Sequence, residues 1–452
     1  MDQSLHKRHI GVSFMNLNCY GIMNTSKYQA TFISYPLGLI RSLAQLLGLR
    51  QVERVKILNE FNGLIRAGDM LLVLGRPGSG CSTFLKALAG DTEGLTLEPE
   101  TSINYQGMRS HQGHRAYRED ALYLAELDVH LPELTVKQTL EFAASTRQQD
   151  QSSFATRAYS VAAQFELNQA LDTKVGNAMI RGVSGGEKRR TSIAEAFLGG
   201  AQLQCWDNST RGLDSGTAYR FIQMLRASTI KQQSTVALTL YQASEAIYQS
   251  FDKVILLYEG HQIYFGPVGL AAGYFISLGF VKHDRATTAD FLTSITNPSE
   301  RVVRNGLEEE APRSPTEFAN VWKRSDLAKS LVAEIEEFNS RSVGDSLTRN
   351  ENNGIAPSKF MLPIYYQAFI CTLRAVKKIQ MNPAPTIGNV IANAILGVII
   401  GSAYYNLHDD TNSLQQRATL IFFALIVNSF LPAYEVSVYG LLTRAHIPPT
   451  GY

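Results

Sequence analysis

The sequence predicts an α/β fold: a P-loop NTPase core with a mainly parallel sheet and a helical subdomain, followed by an α-helical transmembrane segment. Three observations predict it. The apolar run Met70-Leu-Leu-Val-Leu74 feeds a glycine loop, Gly75-Arg76-Pro77-Gly78-Ser79-Gly80-Cys81-Ser82-Thr83, and the loop opens an apolar helical stretch that stops at Gly90. Strand-like and helix-like runs then alternate downstream, the pattern of a parallel sheet with crossover helices. Near the C-terminus no charged residue occurs from Ile379 to Leu407, and Ile387 to Tyr405 is long enough to span a bilayer.

The glycine loop carries the chemistry. Glycines let backbone N–H groups converge on a polyphosphate, and the helix N-terminus adds a favourable partial charge. Ser82 is placed to ligate Mg²⁺. The pattern calls for lysine where this chain has Cys81. At ~4 Å and an effective dielectric of ~20, one ion pair is worth roughly 4 kcal/mol before desolvation. Weakened or slow chemistry is therefore expected at this loop, rather than lost binding.

Composition bounds the class. At 452 residues there is room for two or more domains, and 45% apolar with 18% charged content suits a globular protein with a membrane portion. A net charge of +2 gives no argument for nucleic acid. Cys19, Cys81, Cys205 and Cys371 lie far apart without metal spacing, which reads as reduced thiols facing the cytosol. The N-terminus lacks an apolar leader run, so no cleavable signal peptide is expected.

In chain order, Ile10 to Leu17 alternates like a strand and Leu37 to Leu49 reads as a helix. Val55–Leu58 and Phe61–Leu64 follow, with Arg66-Ala-Gly68-Asp69 as a turn into the glycine-loop strand. Ile103–Gly107 is a short strand, and Thr135 caps a helix running through Phe142. Ser184 and Glu187, with Gly185 and Gly186 between them, have capping-box spacing for a helix through Leu198 that stops at Gly199-Gly200. The two glycines leave its N-terminus bare, which suits close approach of a phosphate.

Leu203–Trp206 is a short strand ending at Asp207-Asn208, and an aspartate there, downstream of a P-loop, is the expected second Mg²⁺ holder. Arg211-Gly-Leu-Asp214-Ser215 is a tight loop before another helix, and Thr235–Leu240 is a strand ending at Tyr241. Phe251–Gly260 and Gln262–Pro267 read as two strands joined by a turn. From 297 to 360 the composition becomes that of a charged connector, with solvated helices expected at Thr316–Arg324 and Asp326–Phe338. Ile364–Lys378 is amphipathic, and spans are expected at about 386–407 and 418–442. Arg374, Lys377 and Lys378 before the first span and Arg444 after the second place both ends in the cytosol. The expected domains are therefore a lead-in at 1–50, a nucleotide-binding domain at 51–296, the connector at 297–360 and a partial membrane domain at 361–452.

Together, Gly75–Thr83, Val183–Glu187 and Gln204–Ser215 resemble the ATP-binding cassette transporters, and more narrowly the first half of a fungal transporter of the pleiotropic drug resistance group within the G subfamily. The resemblance implies that Gly75 to Thr83 cradles ATP with Mg²⁺ and that Ser82, Asp207 and Glu126 attend the metal. It implies that Ser184–Glu187 closes over ATP held by a second cassette, with Asp214 in the loop that meets that partner. Asn208 falls where a glutamate would orient the attacking water, and Tyr241 where a histidine would contact the γ-phosphate. With Cys81 these make a poor ATPase, the degenerate half of an asymmetric pair. The implied partners are that second cassette, the remaining membrane helices, the lipid bilayer and a hydrophobic small-molecule substrate, with the chain multi-pass in the plasma membrane. Two expected spans instead of six suggest a truncated piece of such a protein. A truncated or decayed, non-transporting nucleotide-binding regulator is the alternative reading.

Overall fold

Met70–Gly75 is apolar almost throughout, which suits a strand covered on both faces. In the computed structural model that strand, β3, sits inside a sheet, paired in parallel with β9 (Thr235–Thr239) on one side and β10 (Lys253–Tyr258) on the other. The structure describes residues 9–22, 54–146, 151–350, 362–405 and 413–425, apart from 93, 107, 110–119, 242 and 308. The helix expected at Leu37–Leu49 lies outside these residues.

Parallel pairing continues from β9 through β8 (Leu203–Trp206) to β7 (Ala121–Leu124). On the other side the sheet turns antiparallel. β11 (His261–Pro267) folds back on β10 and meets β2 (Arg54–Ile65) through the pair His261–Asn59. β2 pairs with β1 (Val12–Ile22), which pairs in turn with β4 (Leu95–Leu97) and β5 (Ser102–Tyr105), and β5 with β6 (Met108–Arg109). The sheet is thus mixed. Its parallel half carries the glycine loop, as expected, while its antiparallel arm is built mostly from sequence on either side of that loop. The β10–β11 turn needs glycine: Gly260 has φ 74, and a Cβ there would stand 2.2 Å from the carbonyl oxygen of Ile57.

α1 (Cys81–Ala89) buries Phe84, Leu85, Ala87 and Leu88 against the sheet. Phe84 meets Phe14 of β1 edge-on at 5.3 Å between ring centroids and Phe61 of β2 at 5.7 Å, pairs worth about 0.5–1.5 kcal/mol each beyond area burial. The antiparallel arm therefore holds one side of the helix that the glycine loop opens, while β7, β8 and β9 of the parallel half also lie against it. Among the described residues, α2 (Val136–Ser145), α3 (Gln151–Gln164) and α4 (Gly185–Gly199) pack on one another as the helical subdomain. α5 (Ser215–Gln232), α6 (Glu245–Tyr248), α7 (Val268–Ser277) and α8 (Thr288–Ile295) follow the later strands.

Packing continues past 296. α9 (Pro315–Arg324) and α10 (Asp326–Asn350) are not the solvated connector helices expected from their charge. Phe318, Ala319 and Trp322 of α9 and Leu331 and Ile335 of α10 are buried, and these helices lie on β11 and on β1 and β2. Each has an apolar stripe at i, i+4 spacing, which buries one face while the charges stay on the other. β1, from within the expected lead-in, pairs in the same sheet.

α11 (Ile364–Met381) stops at Asn382-Pro383, and α12 (Ala384–Ala403) begins. α12 is 20 residues long, with mean hydropathy 1.7 and no buried residue. At 1.5 Å per residue it is ~30 Å long, the thickness of a bilayer's hydrocarbon core. It starts close to the expected 386 and ends at 403, before the expected 407. Of the second expected span, 418–425 are described and helical, and the rest lies outside the described residues.

Candidate nucleotide site

The glycine loop has the shape its residues require. Gly78 and Gly80 have φ 87 and φ 94, backbone that glycine adopts without strain. Gly80 is the N-cap of α1 and makes no side-chain capping bond, so the first N–H groups of that helix are left without an internal cap. Arg76 and Ser79 close a turn through Ser79 N–H to the Arg76 carbonyl at 3.0 Å, and Gly260 N–H donates to the Ser79 carbonyl at 3.1 Å. Pro77 and Gly78 lie between them on an exposed tip. Cys81, Ser82 and Thr83 form the first turn of α1, with Ser82 exposed. A Cβ at Gly75 would come within 2.9 Å of Cys81 Sγ, so the loop is closed around that thiol. Burial, and then the charge of Asp207, push the Cys81 thiol up to about 12, so it is neutral at physiological pH.

Asp207 is buried at the end of β8, two strands from β3 and within electrostatic reach of Cys81. Thr239 at the end of β9 donates its hydroxyl to Asp207 Oδ1 at 2.8 Å, and Tyr123 of β7 donates its phenol to Oδ2 at 2.9 Å. Burial, followed by the Asp207 charge, raises the Tyr123 phenol, which keeps it a donor. Asn208, at φ 43, gives its backbone N–H to Thr239 Oγ1 at 2.7 Å. Asn208 Nδ2 lies 3.4 Å from Glu126 Oε2, and Arg211 pairs with the other oxygen of that carboxylate. Tyr241, just past β9, is 69% exposed.

Ser184 caps α4 through both bonds of a capping box: Ser184 N–H to Glu187 Oε2 at 2.8 Å, and Glu187 N–H to Ser184 Oγ at 3.3 Å. Bonds from the Ser184 backbone and hydroxyl hold the Glu187 carboxyl below its ordinary value. A Cβ at Gly185 would meet nothing within 4 Å, and one at Gly186 would stand 3.6 Å from the Gly212 carbonyl. The first turn of α4 thus faces open space, beside the loop at Gly212. Asp214 caps α5, accepting from Thr217 N–H at 2.9 Å, and these bonds keep its carboxyl low.

The fold therefore gathers Cys81, Asp207, Asn208 and Glu126 at one end of the parallel strands. It does not join Ser184–Glu187 to the glycine loop by any hydrogen bond among the described residues. Bare N–H groups and left-handed glycines fit a phosphate, and the oxygens of Ser82 and Asp207 are the hard donors Mg²⁺ takes. Among the described residues no three His, Cys, Asp or Glu side chains gather as a metal site. A divalent cation here would depend on phosphate oxygens, as Mg²⁺ usually does. The Glu126 carboxylate is engaged by Arg211 and Asn208, so it would have to leave them to reach a metal.

Three residues had no signal in the motif reading. Thr239 ends β9 in register with Val73, and Tyr123, next to last in β7, is in register with Cys205; a polar residue near the end of a strand was the available hint. Arg189 follows the capped turn within Lys188-Arg189-Arg190, and its guanidinium is 4% exposed. It bonds to carbonyls of both the Glu126 segment and the Asp207 segment.

A family model described as ABC transporter matches residues 58–211, and one described as ABC-2 type transporter matches residues 366–447. ABC multidrug transporter atrG of Aspergillus oryzae is 43% identical over 95% of this chain. ABC multidrug transporter A-2 of Aspergillus fumigatus is 44% identical, and ABC multidrug transporter MDR3 of Trichophyton rubrum 42%, each over 95% of this chain. The chain spans 30% of the length of these relatives. A solved structure described as the ATP-binding subunit of an ABC transporter aligns with 58% of this chain and 92% of its own, at 20% identity and a TM-score of 0.43.

Proposed function

Because this chain belongs to the ABC transporters, with its cassette ahead of ABC-2 type membrane sequence, we propose that it is the ATP-binding half of an exporter whose own ATP site turns over poorly. ATP binding, with Mg²⁺, clamps the chain against a second cassette, and the closure is passed to membrane helices that move a hydrophobic small molecule or lipid outward across the plasma membrane. The cassette faces the cytosol.

The observation that carries this reading is the pairing of a bare glycine cradle with a neutral thiol at position 81. The cradle can wrap phosphates through backbone N–H groups, but it lacks the ammonium that would offset their charge. Bound Mg²⁺ would supply part of that offset. Asn208 cannot accept a proton as a carboxylate would, and Tyr241 offers no imidazole. Supporting the relay, α11 lies on α2: Arg374 stands over the Phe142 ring at 4.1 Å from its centroid, and Lys377 lies 3.8 Å from Glu141. Lys174 also donates to the carbonyl of Met381, the last residue of α11, at 3.0 Å.

The test uses the whole chain in lipid nanodiscs, with a competent second cassette added. Fluorescent ATP should bind the chain with little hydrolysis, and nucleotide-driven association of the cassettes should require the open turn at Gly185. A Gly185→Asp chain that still associates on ATP addition would refute the paired site. ATP binding with no association and no transport in reconstituted vesicles would favour the non-transporting regulator.

A further inference from the structure

We infer that Arg189 is a positioning residue that ties this chain's own nucleotide site to the open first turn of α4, so that nucleotide at the former changes the latter. The inference rests on the proposal that the glycine loop binds ATP.

Arg189 lies on α4, one turn beyond the cap at Ser184. Its Nε donates to the Ser209 carbonyl at 3.2 Å, and Nη2 to the carbonyls of Asp207 and Asn208, each at 3.1 Å. Its Nη1 donates to the carbonyls of Glu126 at 3.0 Å and Ala125 at 3.3 Å, and pairs with Asp128 Oδ1 at 2.9 Å. One guanidinium thus spans two segments, one leaving β7 and one leaving β8. These segments carry the residues gathered beside the glycine loop.

Burying a cation is costly, and one partly buried aspartate offsets only part of it. The remaining compensation comes from loop carbonyls that no sheet or helix pairs. A planar fork with five N–H donors suits that task, while an ammonium on a flexible stem cannot hold both segments at once. A second fastening lies along the same face of α4. His130 Nε2 hydrogen-bonds with Ser192 Oγ at 2.7 Å, and its Nδ1 lies 3.2 Å from Glu195 Oε2. Residues 189, 192 and 195 follow one another at i, i+3 spacing, so they share that face.

The segment from Ala125 to His130 is therefore clipped to α4 at two points. The Asp207–Ser209 segment is joined to α4 through Arg189, and Gly212 lies against the first turn of that helix. Phosphate arriving near Asp207, Asn208 and Glu126 must rearrange the Glu126–Arg211 and Glu126–Asn208 contacts. Through the guanidinium, that rearrangement reaches the backbone of Gly185–Lys188.

Hydrogen exchange on the full chain in nanodiscs, with and without Mg-ATP, tests this. In the wild type, Mg-ATP changes protection of amides 185–188. Compared at saturating Mg-ATP, Arg189→Lys and Arg189→Gln should lose that change. Variants that transmit the change as wild type does overturn the inference. So does a loss of Mg-ATP binding too severe to saturate, which would make Arg189 a scaffold of the nucleotide site. If Arg189→Gln fails to fold, Arg189→Lys decides, and failure of both marks Arg189 as a structural brace. A wild type that binds Mg-ATP with α4 unaffected overturns this inference alone, whereas one that binds no Mg-ATP overturns the proposed function with it.

Discussion

Thr239→Val isolates how the Asp207 cluster is held. Thr239 Oγ1 is buried and does two jobs: it donates to Asp207 Oδ1 at 2.8 Å and accepts from Asn208 N–H at 2.7 Å. Valine fills the same space with a methyl, so no cavity opens, but a carboxylate oxygen and a backbone N–H each lose a partner. An orphaned buried group costs about 1–3 kcal/mol, more when charged, so the pair should cost about 2–5 kcal/mol. For a domain of this size that lowers the melting temperature by roughly 5–10 °C. Trp206 immediately precedes Asp207 and is fully buried, so its fluorescence reports unfolding at the site. Thr239→Ser keeps both bonds and should recover most of the loss. ATP affinity should fall with Val and return with Ser, because the left-handed Asn208 is no longer pinned. Thr239→Val melting within 1–2 °C of wild type, where about 1 kcal/mol or less is lost, with unchanged ATP affinity, would refute the argument that this hydroxyl organises the site.

Two further outcomes can be measured on the same material. Cys81→Lys should tighten ATP binding about ten- to a hundredfold, since a charged hydrogen bond nets roughly 1.5–3 kcal/mol. Hydrolysis should stay slow, because Asn208 and Tyr241 are unchanged; equilibrium binding and phosphate release read the two effects separately. Glu187→Gln should lose a pH-dependent share of stability. The folded Glu187 carboxyl sits below its ordinary 4.5 because Ser184 donates to it, so its contribution is full above about pH 4.5 and disappears as pH falls through the lower folded value. The melting temperatures of wild type and Glu187→Gln should therefore differ near neutrality and converge in acid; a constant difference would contradict the charged capping box.

What could be read from the sequence was what the backbone demands locally. Gly78 and Gly80 are needed at positive φ, Ser184 and Glu187 pair across three residues, and Asp207 ends a strand; each is a short-range rule. What could not be read depends on distant chain. Lys188, Arg189 and Arg190 look alike in sequence, and which one is buried is set by the phase of α4 against segments some 20 and 60 residues away. Thr239 and Tyr123 meet Asp207 only because β9 and β7 flank β8. The charge of α9 and α10 suggested solvent, and the stripe of Phe318, Trp322, Leu331 and Ile335 outweighed it because one apolar face is enough to dock a helix.

The same packing also bears on how closure could leave the cassette. The segment clipped to α4 at Ala125–His130 runs on within a few residues to Thr135, which caps α2 in a capping box of its own. Thr135 pairs with Lys174 in an isolated bridge, and Lys174 reaches the end of α11 at Met381. α2 in turn lies beneath Arg374 and Lys377 of α11, and only Asn382 and Pro383 separate the end of α11 from the start of α12 at Ala384. The contacts thus run from the Glu126 segment through a capped helix and charged pairs to the first apolar helix. Weakening the joint between α2 and α11 should uncouple the membrane part without altering ATP affinity, whereas weakening the Asp207 cluster should alter affinity first. That difference separates a relay from a shared scaffold.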